Sequence, residues 1–179
     1  MDDIIVTGSS TSYIHRFNAE ISKKFSLKDL GPLSFFLGIE VTPTRQGIHL
    51  NQTKYLSDLL HKYKMEASKP TTTPMIPHPP LTKQPHEAII EESDYRAIIG
   101  SLQYLTLTRP DIAYSVNKLS QYLTHPTATH WTALKRLLCY LQGTLHFGIQ
   151  IAKTTPLSLH AFCDADWAGD TDDYISTSG

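Results

Sequence analysis

The sequence predicts a mixed α+β fold in which a β-hairpin and a run of amphipathic helices are joined by a proline-rich stretch. Three observations carry this. Between Phe35 and Leu50, apolar and other residues alternate on either side of a Thr44-Arg45-Gln46-Gly47 turn, the period of strands. From Tyr95 to Leu141 apolar residues recur every three or four positions, the period of a helical face. Between them Pro70, Pro74, Pro77, Pro79, Pro80 and Pro85 fall among threonines, the composition of a spacer.

At 179 residues with 40% hydrophobic content, the chain holds one ordinary domain or two small ones, with enough apolar surface for a core. Its net charge of −1 supplies no global attraction to nucleic acid, so any such binding rests on local patches. Cys139 and Cys163 lack metal or redox spacing and read as two buried thiols in a reducing compartment, with no disulfide partner. No apolar run is long enough to span a membrane, and Met1-Asp2-Asp3 is acidic where a secretory or transit segment is basic. The expectation is a soluble, intracellular chain without a membrane partner.

Ile4, Ile5 and Val6, ending at Thr7-Gly8, predict a strand that opens with two carboxylates, Asp2 and Asp3. Ile14, Phe17, Ile21 and Phe25 then predict an amphipathic helix over 12–25, with Arg16, Lys23 and Lys24 outside. Phe35, Leu37, Ile39 and Val41 make the first hairpin strand, and Ile48 to Leu50 the return. Asn51-Gln52-Thr53 is the polar approach to a helix that Thr53 caps and Tyr55, Leu56, Leu59, Leu60 and Tyr63 bury, with Lys54, Lys62 and Lys64 on its wet side.

After the spacer, Ser93 or Asp94 caps a helix buried through Tyr95, Ile98, Ile99, Leu102 and Leu105. Pro110 disfavours helical backbone at Arg109, so that helix stops near Thr108 and a second begins at Pro110, buried through Ile112, Ala113, Val116, Leu119 and Leu123. His125-Pro126 ends it, and a third runs from about His130 through Trp131, Leu134, Leu137, Leu138 and Leu141 to a terminal Gly143. Leu145 to Ile151 and Leu157 to Cys163 alternate as two adjacent strands. The acidic cluster from Asp164 to Asp173 is interrupted by Trp167 and Ala168, which breaks the ligand alternation of a calcium loop.

Several ordered strings go further. Asp2-Asp3-Ile4-Ile5-Val6-Thr7-Gly8, Phe36-Leu37-Gly38-Ile39, Ile99-Gly100-Ser101-Leu102-Gln103-Tyr104-Leu105, Thr108-Arg109-Pro110-Asp111-Ile112, Tyr140-Leu141-Gln142-Gly143-Thr144 and Asp164-Ala165-Asp166-Trp167-Ala168-Gly169-Asp170 appear in sequence. Together they resemble the Ty1/copia-type retrotransposon polyprotein across the C-terminal part of its reverse transcriptase and the start of its RNase H. The chain is also similar to copia-derived plant mitochondrial open reading frames.

The resemblance implies a partial reverse transcriptase palm and thumb with a β-hairpin, a three-helix connection and the first strands of an RNase H-like sheet. It divides the chain into the end of the palm, the primer-grip hairpin and the thumb start (1–65), the proline-rich linker (66–93), the helical connection (94–143) and a truncated RNase H start (144–179). Asp2 and Asp3 match the tail of the Tyr-x-Asp-Asp motif, with Met1 at the variable position and the tyrosine absent. The resemblance makes them metal-binding catalytic carboxylates that use Mg2+ or Mn2+, and Asp164 matches the first RNase H carboxylate. Phe36, Leu37, Gly38 and Lys54 fall in the region that meets the RNA/DNA template-primer, where a glycine lets the backbone approach phosphates. Taken alone, Gly38 equally suits a strand bulge, and the lysines a solvated helix face.

The implied function is a fragment of RNA-directed DNA polymerase with the beginning of RNase H, inactive alone because most of both active sites is missing. The alternative is a non-catalytic retrotransposon-derived remnant or interaction module. The first implies a cytoplasmic or nuclear setting, the second a mitochondrial one for an organellar remnant.

Overall fold

The computed structural model describes residues 4–25, 27–83 and 92–153, together with Ala161 and Cys163. Its elements run α1 (Thr11–Lys24), β1 (Phe35–Phe36), β2 (Ile39–Thr44), β3 (Gly47–Asn51), α2 (Thr53–Lys62), α3 (Glu92–Leu105), a 3-10 turn (Pro110–Ile112), α4 (Ala113–Ser120), α5 (Ala128–Gly143) and β4 (Ile149–Ala152). The mixed α+β class is borne out. A four-stranded antiparallel sheet, β1-β2-β3-β4, stands beside the helices.

The helical core follows the predicted stripes. Tyr95, Ile98, Ile99, Leu102 and Leu105 of α3 are buried, and they meet Ile112, Val116 and Leu119 and the α5 residues Leu134, Leu137, Leu138 and Leu141. Leu56, Leu59 and Leu60 of α2 enter the same core, so the helix after the hairpin and the three later helices share one apolar interior. Burial, then the neighbouring Tyr122, push the Tyr95 phenol well above its ordinary value, so its hydroxyl remains a donor to the Leu119 carbonyl (2.9 Å).

Several expectations are corrected. Pro110 starts a 3-10 turn, and α4 begins only at Ala113, which is exposed; Tyr122 takes the buried place expected of the half-buried Leu123. Helix α3 already begins at Glu92, ahead of the expected caps Ser93 and Asp94. Helix α5 does end at Gly143, as expected, and the glycine also makes room for Pro70, which a Cβ would approach to 2.9 Å. Cys139 is half-buried and Cys163 exposed, in place of two buried thiols.

Ile4, Ile5 and Val6 form no strand and are exposed, because no strand among the described residues pairs with them. Helix α1 forms, capped by the Ser10 hydroxyl, but its apolar face is not fully covered: Phe17 is 39% and Phe25 62% exposed. The expected strand over 145–151 is shorter and lies elsewhere. Residues 144–146 turn, Ile149–Ala152 form β4, and β4 pairs with β3 through Gly47↔Ala152 and Leu50↔Ile149. Gly47 permits this approach, since a Cβ there would lie 1.9 Å from the Ile151 carbonyl oxygen. Of the partner strand expected at 157–163, only Ala161 and Cys163 are described, and neither is in a strand.

The described part of the proline-rich stretch is laid along α5 as a strap. The Arg136 guanidinium donates to the Thr73 hydroxyl (2.7 Å), Gln142 donates to the Glu66 carbonyl (2.8 Å), and the Tyr122 hydroxyl donates to the Leu81 carbonyl (2.6 Å). His130 is fully buried and stacks on Tyr122 at 4.0 Å. Its Nδ1 accepts the Thr127 backbone N–H (3.1 Å), which leaves Nε2 to donate to the Thr82 carbonyl (3.1 Å).

Candidate nucleic-acid interface

The expected first hairpin strand is in fact a second, tighter hairpin. Phe36 pairs with Ile39 and Phe35 with Glu40, leaving Leu37-Gly38 as a two-residue turn. Both turn residues have positive φ, 45° for Leu37 and 76° for Gly38, the pattern of a type I′ turn whose twist matches that of the strands. Gly38 is therefore neither a bulge nor a strand residue. Leucine at positive φ is costly, by about 1–2 kcal/mol, and such outliers concentrate where a local shape is used. Leu37 is nevertheless 63% exposed at the tip, while Phe36 is half-buried.

Two side chains fix this turn and its base. The Tyr104 hydroxyl of α3 donates to the Leu37 carbonyl, and a Cβ on Gly38 would stand 3.1 Å from that hydroxyl. At the base, Glu40 Oε1 accepts the Lys54 backbone N–H at 2.7 Å. Glu40 thus serves the amino end of α2 from the neighbouring strand, where a carboxylate suits the unpaired N–H groups and the helix dipole. Thr53, expected as the cap, is instead the first helical residue. Gln52 occupies the cap position without a side-chain cap bond, and the Thr53 hydroxyl reaches the Leu145 carbonyl (3.2 Å). Lys54 is exposed beside the hairpin base, and Lys64 lies past the helix end at φ 55°.

The Thr108-Arg109-Pro110-Asp111 string builds a clasp in which Thr108 and Arg109 are buried. Arg109, 1% exposed, forks onto both Asp111 carboxylate oxygens (2.9 and 2.7 Å) and donates to the carbonyl and hydroxyl oxygens of Thr144 (2.9 and 2.8 Å). The Tyr140 hydroxyl donates to Asp111 (2.8 Å), and the Arg109 guanidinium lies over the Tyr140 and Phe147 rings. Burial acts to raise the Asp111 carboxyl, but the hydrogen bonds from Arg109 and Tyr140 and the Arg109 charge outweigh it and hold the group below its ordinary value. Burial, followed by the hydrogen bond to Asp111 and its charge, pushes the Tyr140 phenol up, so it stays a donor. The Thr108 hydroxyl extends the clasp to buried Gln52 Oε1 (2.8 Å), next to the hairpin.

A reverse transcriptase (RNA-dependent DNA polymerase) family model matches residues 1–77. The whole chain is 50% identical to the retrovirus-related Pol polyprotein from transposon RE2 of Arabidopsis thaliana. It is also 43% identical, again over its full length, to an uncharacterized mitochondrial protein of Arabidopsis thaliana, of which it covers 74%. The chain belongs to the Ty1/copia-type retrotransposon polyprotein family. Within that family it is a retrotransposon-derived reverse transcriptase–RNase H segment, spanning 12% of the RE2 polyprotein's length. A putative transposon Ty5-1 protein of Saccharomyces cerevisiae is 32% identical over the full chain, which covers 59% of it. No solved structure matches.

Among the family-implied site residues, the structure brings Phe36, Leu37 and Gly38 into one turn and sets Lys54 at its base. Asp2, Asp3 and Asp164 lie outside the described residues. Among the described residues no group of three or more His, Cys, Asp and Glu side chains is placed to hold a metal. No helix of the described residues is long and apolar enough to cross a membrane. Sequence reasoning gave no individual role to Tyr104, Glu40 or Arg109. Each acts across a long sequence separation or through geometry that periodicity does not report, and the family strings around Tyr104 and Arg109 were the one available signal.

Proposed function

We propose that this chain is the primer-facing edge and helical connection of a metal-dependent RNA-directed DNA polymerase with attached RNase H, and that its own work is positioning. The observation that carries this is the Leu37-Gly38 turn: a strained, exposed tip whose backbone is tethered by Tyr104 and whose glycine leaves no side chain between backbone and an approaching phosphate. Lys54 adds a flexible positive charge at the base.

In this reading 1–65 is the palm end, primer grip and thumb start, 66–93 the linker, 94–143 the connection and 144–179 the RNase H start. Asp2 and Asp3 belong to the polymerase metal site and Asp164 to the RNase H site. A bound Mg2+ or Mn2+ would activate the attacking hydroxyl and stabilise the leaving group. The residues described here hold the hairpin, orient the backbone at its tip and fix the connection behind it. The setting is intracellular, cytoplasmic or nuclear for an active element. The relative of comparable length, the mitochondrial protein, favours a second reading as a non-catalytic interaction module, with a mitochondrial setting for an organellar remnant.

Fluorescence anisotropy with a labelled RNA–DNA hybrid tests the interface. Binding should weaken steeply with salt, and Lys54→Ala should lower affinity and reduce the log–log salt slope by about 1. Primer extension by this chain with Mg2+ or Mn2+ should give no template-dependent product. Incorporation that Asp3→Ala abolishes would overturn the view that the chain only positions, and salt-independent or absent hybrid binding would leave the interaction-module reading.

A further inference from the structure

We propose that Tyr104 is a positioning residue for the Leu37-Gly38 turn, so that the helical connection, rather than the hairpin alone, sets the shape of the primer-facing tip. The inference rests on the reading of that turn as primer-facing. Its geometry is independent of that reading. The Tyr104 hydroxyl donates to the Leu37 carbonyl across a sequence separation of 67 residues. The missing Cβ of Gly38 leaves the room, since that atom would stand 3.1 Å from the hydroxyl.

The tyrosine is itself held. Tyr55 of α2 meets its ring edge-on, with centroids 5.2 Å apart and planes at 77°, a ring contact that does not depend on the Tyr55 hydroxyl, which donates elsewhere, to the Ser101 carbonyl on α3 (3.1 Å). One residue beyond Tyr104, Leu105 is fully buried, and the chain then leads through Thr108 into the Arg109 clasp. The anchor is therefore rigid, and the anchored object is not. Strands β1 and β2 share two cross-strand pairs, β1 is two residues long, and the turn between them carries leucine in the left-handed region. So short a hairpin is marginal unaided, and one tethering bond at its apex decides how much of the time the tip keeps this shape.

Tyr104→Phe removes the donor and keeps the ring. In backbone amide exchange followed by NMR, Phe36 and Ile39, paired across the turn, should exchange roughly threefold to tenfold faster than in the wild type, the size expected for one neutral hydrogen bond. Amides of the β2–β3 ladder should be unchanged. Tyr55→Phe, which deletes a hydroxyl on the same ring pair without touching the turn, should leave Phe36 and Ile39 at wild-type rates. Hybrid affinity should fall by a similar factor in Tyr104→Phe and hold in Tyr55→Phe.

Wild-type exchange at Phe36 and Ile39 in Tyr104→Phe would overturn the proposal. Faster exchange with unaltered hybrid affinity would keep the tether and remove the primer-facing reading on which its use depends. Should Tyr104→Phe fail to fold, cross-relaxation between the Tyr104 ring and the Gly38 α-protons in the unmodified chain tests the same contact: strong cross-peaks are expected, and their absence refutes it.

Discussion

Replacing Arg109 by methionine keeps the bulk of a long side chain and removes every charged and hydrogen-bonded contact that Arg109 makes in the clasp. The guanidinium makes four hydrogen bonds, two to Asp111 and two to Thr144, from a side chain that is 2% exposed. Methionine leaves the Asp111 carboxylate with only the Tyr140 hydroxyl and its own backbone N–H, and the Thr144 carbonyl with only the Phe147 N–H (3.0 Å). Breaking a buried pair by deleting one partner costs about 3–5 kcal/mol. The Asp111 side chain is 35% exposed, so water relieves part of this and the lower end, about 3 kcal/mol, applies. For a chain of this size that is a drop in Tm of roughly 6–12 °C. The pH dependence gives a second readout. Because the folded-state pKa of Asp111 is depressed, its contribution is fully present above the unfolded value of 3.8 and is lost as pH falls through the lower folded value. Thermal melts by circular dichroism from neutral pH down to about pH 2.5 should therefore show wild type and Arg109→Met converging as the acid limb is reached. A Tm within about 2 °C of wild type at neutral pH, or a constant gap down the acid limb, would refute the assignment of the clasp as a stabilising ion pair.

Lys64 closes α2 with a Schellman pattern, Met65 N–H to the Leu60 carbonyl (2.8 Å) and Lys64 N–H to the His61 carbonyl (3.0 Å), at φ 55°. Lys64→Gly should therefore raise stability by about 0.5–1 kcal/mol in urea titration, the left-handed cost relieved less the extra chain entropy of glycine. Gly47→Ala drives a methyl against the Ile151 carbonyl oxygen; it should cost about 1–3 kcal/mol and expose the Lys153 amide, bonded at 2.8 Å to the Gln46 carbonyl, to fast exchange. Glu40→Ala removes the side chain that caps α2 from the next strand and should cost about 1 kcal/mol, with faster exchange at Lys54 while the β2–β3 ladder holds.

The helices were legible because each carries its own instructions. Tyr95, Ile98, Ile99, Leu102 and Leu105 lie on one face whatever they pack against, and Pro110 interrupts the helical run through its own ring. The β2–β3 turn was legible for the same reason, since glycine follows Arg45-Gln46 between two apolar runs. Family membership, too, was carried by residue strings alone.

What the sequence left open depended on partners far along the chain. The Leu37-Gly38 turn is hidden in the sequence because leucine sits where asparagine or aspartate usually announces a type I′ turn, so the apolar alternation continues unbroken across it; Phe36 and Ile39, of opposite parity, share a face only because the chain reverses between them. Strand β4 pairs with β3 about a hundred residues earlier, a partner its own alternation does not name, where Gly47 lets the backbones meet. The cap of α2 came from Glu40 rather than Thr53, and the spacer became a strap because α5 offered it hydrogen-bonding groups. Periodicity reports which face of an element is apolar. Which surface covers that face, and which distant side chain satisfies an end or a turn, is decided only when the whole chain competes for the same contacts.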